Sequence, residues 1–486
     1  MLLSLAALIE RQSSDAPAFQ DSQTQLSYGE LYAAIADLAA RLADAPPTIG
    51  LCAKNSVEWV IADLAITAAG KTLVPMPGFF SADQMRHVMQ DADIGLFLCD
   101  ESYQQSLQNI GATTTLLTRP VTTSEAVLTP KPNATRVIYT SGTTGTPKGV
   151  RLGEAQLNFT MQALTDAISA CADDRYLSVL PFALLLEELC GLHVPLMVGG
   201  SCIIDAAAAE AVGNGHVSAL QESAMVAQPS VMVLVPELLR AWTAALMLSG
   251  DKAPESLRFL AVGGAKTPPE ALALARDLGL PAFEGYGLSE CGSVVALNLL
   301  GASRANTVGR PLPGLDVKII DGEITVAGAN VMSGYLGQTP HDGPWATGDL
   351  GTIDEDGFLI VHGRKDSVLV NGFGRNVSPE WVEAMMSNDF RIGRAVLAHG
   401  RDGKFCALIN PTLLGEALYD NDQYEQNLES LRALCAEAPA YARPDDFICI
   451  NAEAASEAQL FTASGRPRRR VINEYVMSKL KETQNV

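Results

Sequence analysis

The chain has 486 residues, which at roughly 100–200 residues per domain corresponds to two or three domains and excludes a peptide hormone or a small disulfide scaffold. It carries 34 Lys and Arg against 55 Asp and Glu, a net charge of −21; a surface that acidic repels phosphate backbones, so no nucleic-acid partner is expected. Hydrophobic residues make up 48%, yet no run reaches the roughly 18 uninterrupted apolar residues of a membrane span.

The opening MLLSLAALIE lacks a basic flank and a small-residue cleavage site, so it reads as the first helix of the mature chain rather than a leader. Ser27 and Glu30 form an S-x-x-E capping box ahead of Leu31, Ile35, Leu38 and Leu42, which share one helical face. The apolar runs Ile49–Cys52, Gly95–Cys99, Val231–Val235 and Phe259–Val262 alternate with helical stretches such as Leu157, Met161, Leu164 and Ile168. That alternation implies an α/β body with largely parallel sheets.

The texture changes after Pro313. Val317–Ile320 and Glu323–Val326 flank Asp321–Gly322, and Leu350–Ile353 and Phe358–Val361 flank Glu355–Gly357, so two hairpins and a small antiparallel subdomain are expected. A helix from about Pro379, a hairpin around Arg401–Gly403 and a closing helix after Arg470 complete the chain. The expected organisation is a large N-terminal domain over 1–364 and a smaller α+β domain over 365–486. The nine cysteines are scattered without a C-x-x-C pair, and the six histidines show no zinc spacing; a reducing, cytoplasmic compartment is expected, and a cysteine metal site is not.

Chemistry concentrates in Thr140–Val150, TSGTTGTPKGV, which follows the apolar strand Arg136–Tyr139. Glycines that free backbone N–H groups, hydroxyl donors and one lysine after a strand are what a polyphosphate requires. The loop is not a Walker A motif, because Lys148 stands between Pro147 and Gly149 instead of in G-K-[ST].

This string resembles the signature loop of the adenylate-forming superfamily, which includes acyl-CoA synthetases. GYGLSE at Gly285–Glu290, TGD at Thr347–Asp349, GRKD at Gly363–Asp366 and FTASGRPRR at Phe461–Arg469 follow in the family's order, so the resemblance spans nearly the whole chain. It implies that Thr140, Ser141, Gly142, Thr143, Thr144, Gly145 and the catalytic Lys148 hold ATP phosphates. It further implies adenine stacking by Tyr286 beside Gly287, phosphate contact by Ser289, and Mg²⁺ on Glu290, a hard oxygen donor. Asp349 would bind the ribose, Arg364 would lie near ribose and phosphate, and Asp366 would be the hinge.

Some segments keep two readings. AVGGAK at Ala261–Lys266 resembles the wall of the adenine and acyl pockets, with Gly264 and Ala265 at the nucleotide, or it is a plain turn. LPFALLLEE at Leu180–Glu188 resembles an acyl-pocket motif with Leu184 where a histidine or aromatic commonly stands, and its leucines extend an apolar tunnel or form buried helix core. NGFGRNVSPEWVE at Asn371–Glu383 resembles synthetases of longer fatty acids, although Arg375 replaces a common acidic residue. The family's C-terminal T-x-x-G-K becomes Thr462–Ala463–Ser464–Gly465–Arg466, so the catalytic lysine is replaced by Arg466. Arginine keeps the charge but spreads it over a larger planar fork.

The resemblance implies an AMP-forming acid–thiol ligase that adenylates a carboxylic acid, expected to be a fatty acid. The acyl group would then pass to CoA or to a carrier-protein phosphopantetheine. Nothing after Arg470 looks like a fused carrier domain, so a carrier is expected to be a separate acyl carrier protein. The rival is a non-catalytic acyl- or nucleotide-binding relative, suggested by Arg466 and Leu184.

Overall fold

The computed structural model describes residues 1–482 except 133, 141–146, 215, 373–374, 413–414, 416–423 and 463–464. Among these, strands form five sheets. The largest has nine strands, in the order Arg310–Pro311, Ala296–Leu297, Ala282–Tyr286, Phe259–Val262, Val231–Leu234, Arg175–Ser178, Ser201–Ile204, Pro17–Gln20, Gln25–Ser27. Its six central strands are parallel, and antiparallel pairing is confined to the edges. A six-stranded sheet runs Thr114–Leu116, Leu96–Cys99, Thr48–Cys52, Thr72–Pro75, Thr135–Thr140, Lys148–Gly153, parallel except for its last pair. The α/β body expected from alternating apolar runs and helices is therefore present.

Local chemistry explains several of these elements. Ser27 caps the helix Tyr28–Arg41 by accepting from the Glu30 N–H at 3.3 Å, while the Glu30 carboxylate accepts from the Ser27 N–H at 2.9 Å. Leu31 and Ile35 on its inner face are fully buried. The hairpin Asp316–Ile320 to Glu323–Ala327 turns through Asp321 and Gly322, both with φ above +50° (51° and 81°), the geometry of a two-residue type I′ turn. With Trp345–Ile353 and Leu359–Arg364 it makes a four-stranded antiparallel sheet.

Beyond Arg364 lie a single turn at Lys365–Ser367, a two-stranded ribbon, and a three-stranded sheet of Ile392–His399, Phe405–Pro411 and Pro444–Cys449. The helices Pro379–Met386 and Arg469–Glu482 cover that sheet. Residues from Leu369 onward build two apolar clusters of their own, one around Val382, Ile392 and Phe405 and the other around Leu460, Ile472 and Val476. No helix among the described residues is long and apolar enough to cross a membrane.

Candidate active site

The carboxyl ends of the strands Val231–Leu234, Phe259–Val262 and Ala282–Tyr286 open into a cavity of about 2290 Å³, closed on other sides by the antiparallel sheet and the C-terminal elements. Ligands of parallel sheets bind at this end, where loops diverge and backbone groups are free.

Asp349 and Arg364 face each other across paired strands, and the guanidinium donates to the carboxylate at 3.3 Å and to the Thr347 carbonyl at 3.0 Å. Tyr286, at the end of its parallel strand, donates its hydroxyl to Asp349 at 2.6 Å. Burial raises the Asp349 pKa above the ordinary carboxylate value, opposed by the Tyr286 hydrogen bond and the Arg364 charge. Gly348 adopts φ +77°, and a Cβ there would stand 2.7 Å from the Arg364 guanidinium, so the position requires glycine. Gly287 is equally constrained, because a Cβ would lie 1.6 Å from the Ser293 carbonyl oxygen.

Glu290 sits in the single turn Ser289–Cys291 and accepts from the Tyr335 hydroxyl at 2.9 Å. Tyr335 is itself fastened to the strand that carries Lys148: Leu336 N–H donates to the Gly149 carbonyl at 2.7 Å, and Arg151 N–H to the Gly334 carbonyl at 3.1 Å. The Lys148 ammonium lies 5.4 Å from the centre of the Tyr335 ring. Lys148 is thus linked to Glu290 through an aromatic ring, and Tyr335, not Lys148, lines the cavity among the described residues. Glu290 offers an oriented hard oxygen at the cavity wall, a donor that fits Mg²⁺.

Thr140, Gly264, Ala265, Gly287, Ser289 and Asp366 also line the cavity. Ser141, Gly142, Thr143, Thr144 and Gly145 lie outside the described residues. Asp366 accepts from Arg364 at 3.2 Å in the turn that links the antiparallel sheet to the C-terminal elements. Arg466 reaches the same cavity from a tight turn: its N–H donates to the Thr462 hydroxyl at 3.0 Å, and its carbonyl accepts from the Thr462 N–H at 2.8 Å. Ala463 and Ser464, like Phe373 and Gly374 in the NGFG segment, lie outside the described residues. Arg469 ties the base of the turn to Glu383 at 2.8 Å and Glu380 at 3.0 Å.

Leu184, Leu185 and Leu186 line the apolar part of the cavity; Leu185 is buried and its neighbours half-buried, so both readings of this segment apply in part. The two glutamates that follow are fully buried. Arg136 pairs with Glu188, and with Asp63 at 2.8 Å. Asp63, Glu188 and His193 cluster closely enough to suggest a metal site, but the Arg136 guanidinium donates among them and makes this a buried ion-pair network.

Three site residues were not selected from sequence. Tyr335 had no local signal, since its partner Glu290 is 45 positions away. Lys266 lay within AVGGAK but was not singled out; its ammonium enters the cavity 3.4 Å from the Val361 carbonyl, and burial lowers its pKa against the opposing pull of Glu284 and Glu380. Glu284 accepts from the Thr267 N–H at 2.8 Å, and burial pushes its carboxyl up to about 7.

Residues 6–336 match the AMP-binding enzyme family. The chain belongs to that family. This AMP-binding enzyme is 29% identical over 412 residues to the long-chain-fatty-acid-CoA ligase FadD15 of Mycobacterium bovis, covering 70% of this chain and 69% of the relative. It is 26% identical to the 2-succinylbenzoate-CoA ligase of Lactococcus lactis, covering 76% and 81%. Its fold matches that of the o-succinylbenzoate CoA synthetase of Bacillus subtilis in complex with its acyl-adenylate intermediate, with a TM-score of 0.79 at 23% identity over 96% of this chain and 97% of the other. The enzyme is adenylate-forming, with acyl- and aryl-CoA ligases among its relatives.

Proposed function

We propose that this enzyme activates an apolar carboxylic acid, of medium or long aliphatic chain, by adenylation, and transfers the acyl group to the thiol of CoA or of a carrier-protein phosphopantetheine. The observation that carries this reading is the joining of the Tyr286–Asp349–Arg364 chain and the leucine-lined wall in one cavity. NGFGRNVSP, with its likeness to longer-chain synthetases, supports the aliphatic choice over an aryl acid.

In the first step a carboxylate oxygen forms a bond to the α-phosphorus of ATP, and the bond from that phosphorus to the bridging oxygen breaks, releasing pyrophosphate. In the second the thiolate sulfur forms a bond to the acyl carbon and AMP leaves with the electron pair. Such chemistry needs positioning and charge neutralisation more than acid–base work.

The Thr140–Gly145 loop and Lys148 would hold the β- and γ-phosphates. Asp349 would accept from the ribose hydroxyls, with Tyr286, Gly264 and Ala265 against adenine and Arg364 at the ribose and phosphate. Gly287 allows close backbone approach, and Ser289 offers a hydroxyl to phosphate. Glu290, oriented by Tyr335, would hold Mg²⁺, which when bound neutralises phosphate charge. Arg466 would neutralise the α-phosphate and the incoming carboxylate.

On this reading residues 1–364 form the ATP- and acyl-binding domain and 365–486 a mobile domain that turns about Asp366 between steps. Pyrophosphate exchange over a panel of carboxylic acids is the test. Exchange selective for aliphatic acids is expected; exchange with aryl acids alone would overturn the substrate class, and none with any acid would make the chain a non-catalytic binder.

A further inference from the structure

Besides the contacts next to Asp366, such as that of the Ser378 hydroxyl with the His362 carbonyl, a second set of contacts holds the C-terminal elements against the cavity. Arg240, on the helix Pro236–Ser249, donates to the backbone carbonyls of Asp389 at 3.0 Å and Ile392 at 2.8 Å, with its guanidinium 5.9 Å from the Phe390 ring centre. Beside it the Asn388 amide donates to Glu270 at 2.8 Å. The turn that receives these bonds is stiff, because Asp389 accepts from the Arg391 N–H at 2.9 Å and pairs with its guanidinium, and Ile392 N–H returns to the Asp389 carbonyl at 2.9 Å.

That turn opens the strand Ile392–His399, on which the Arg466 segment rests. Arg394 stacks on Phe461 at 5.0 Å, and His399 N–H donates to Asn473 of the closing helix at 2.9 Å. A continuous path therefore runs from Arg240 through Ile392 and the strand to the turn that presents Arg466 to the cavity.

We infer that Arg240 is a positioning residue for acid adenylation: it latches the C-terminal elements in the orientation that brings Arg466 into the cavity, and releases them for thioester formation. Two hydrogen bonds from a charged donor to backbone carbonyls suffice to bias a two-state orientation about tenfold or more. The inference rests on the proposed role of Arg466 and on turning about Asp366.

The test compares Arg240→Ala, Arg240→Lys and Asn388→Ala with the native enzyme. Pyrophosphate exchange is expected to fall about tenfold in Arg240→Ala, with thioester formation from supplied acyl-adenylate unchanged or faster and partial recovery in Arg240→Lys. Trypsin cleavage at Arg364 or Lys365 should accelerate at an unchanged melting temperature. Equal loss in both half-reactions, or native exchange together with native cleavage, overturns the latch. The cleavage arm needs no turnover, so it reads the latch even if the native chain adenylates nothing. Should Arg240→Ala fail to fold, Asn388→Ala carries the same two readouts and the same overturning results.

Discussion

The Tyr286 hydroxyl meets the Asp349 carboxylate at 2.6 Å, and this one bond joins the end of a parallel strand to the antiparallel sheet across the mouth of the cavity. The bond holds down the pKa of a carboxyl that burial pushes up. Tyr286→Phe removes the donor, so the Asp349 pKa should rise further and its ionised form persist only at higher pH. On the proposed reading an ionised Asp349 would accept from both ribose hydroxyls. The acid limb of the ATP binding profile is therefore expected to move to higher pH in Tyr286→Phe, measured by nucleotide titration between pH 5 and 8. An unmoved limb would separate Asp349 from ribose binding.

Glu284 carries the opposite test, one of stability. Its carboxyl is raised from 4.5 to about 7 by burial, so between those values the native state holds a proton that the unfolded chain has lost. Stability then falls as pH rises through this window, the contribution being full below about 4.5 and lost above about 7. Glu284→Gln keeps an acceptor for the Thr267 N–H and removes the titration. The variant should show a flatter melting temperature from pH 5 to 8 and exceed the native protein at pH 8, by on the order of 1–3 kcal/mol. Parallel native and variant curves would assign the pH dependence to other groups.

Tyr335 orients Glu290 as an outer partner orients a metal ligand, and loss of such a partner typically costs about 10–100-fold in metal affinity. Tyr335→Phe keeps the ring beside Lys148 and deletes only the hydroxyl. The Mg²⁺ concentration for half-maximal adenylation is expected to rise about tenfold while the acid KM holds. An unchanged Mg²⁺ requirement would show that the Tyr335 hydroxyl does not support the ion.

Much of this architecture was legible because its causes are local. The Ser27–Glu30 capping box, the Asp321–Gly322 turn and the apolar strand Phe259–Val262 each need only neighbours in sequence. Tyr335 and Arg240 stayed hidden because their meaning lies in partners 45 and about 150 positions away, reached only after the sheets assemble. The placement of Pro17–Gln20 beside Ser201–Ile204 near a sheet edge is also a long-range pairing that no run of residues announces. Lys148 shows the converse: its motif was plain, but its stacking over Tyr335 instead of along the cavity wall is a tertiary fact.

Arg466 is where sequence and geometry bear on the chemistry together. The turn that holds it is closed by two hydrogen bonds with Thr462, at 2.8 and 3.0 Å, and anchored below by Arg469, so Arg466 lines the cavity from a fixed base. A preorganised cation of this kind typically contributes about 10²–10³ in rate, or roughly 2.7–4 kcal/mol. Arg466→Ala should slow acyl-adenylate formation to that extent while leaving thioester formation from supplied acyl-adenylate nearly intact. Arg466→Lys should equal or exceed the native rate, because a compact ammonium concentrates its charge where the delocalised fork spreads it. Single-turnover formation of acyl-adenylate decides the matter: a native rate in Arg466→Ala would remove this residue from catalysis and leave charge neutralisation to other cations that line the cavity, among them Lys266 and Arg364.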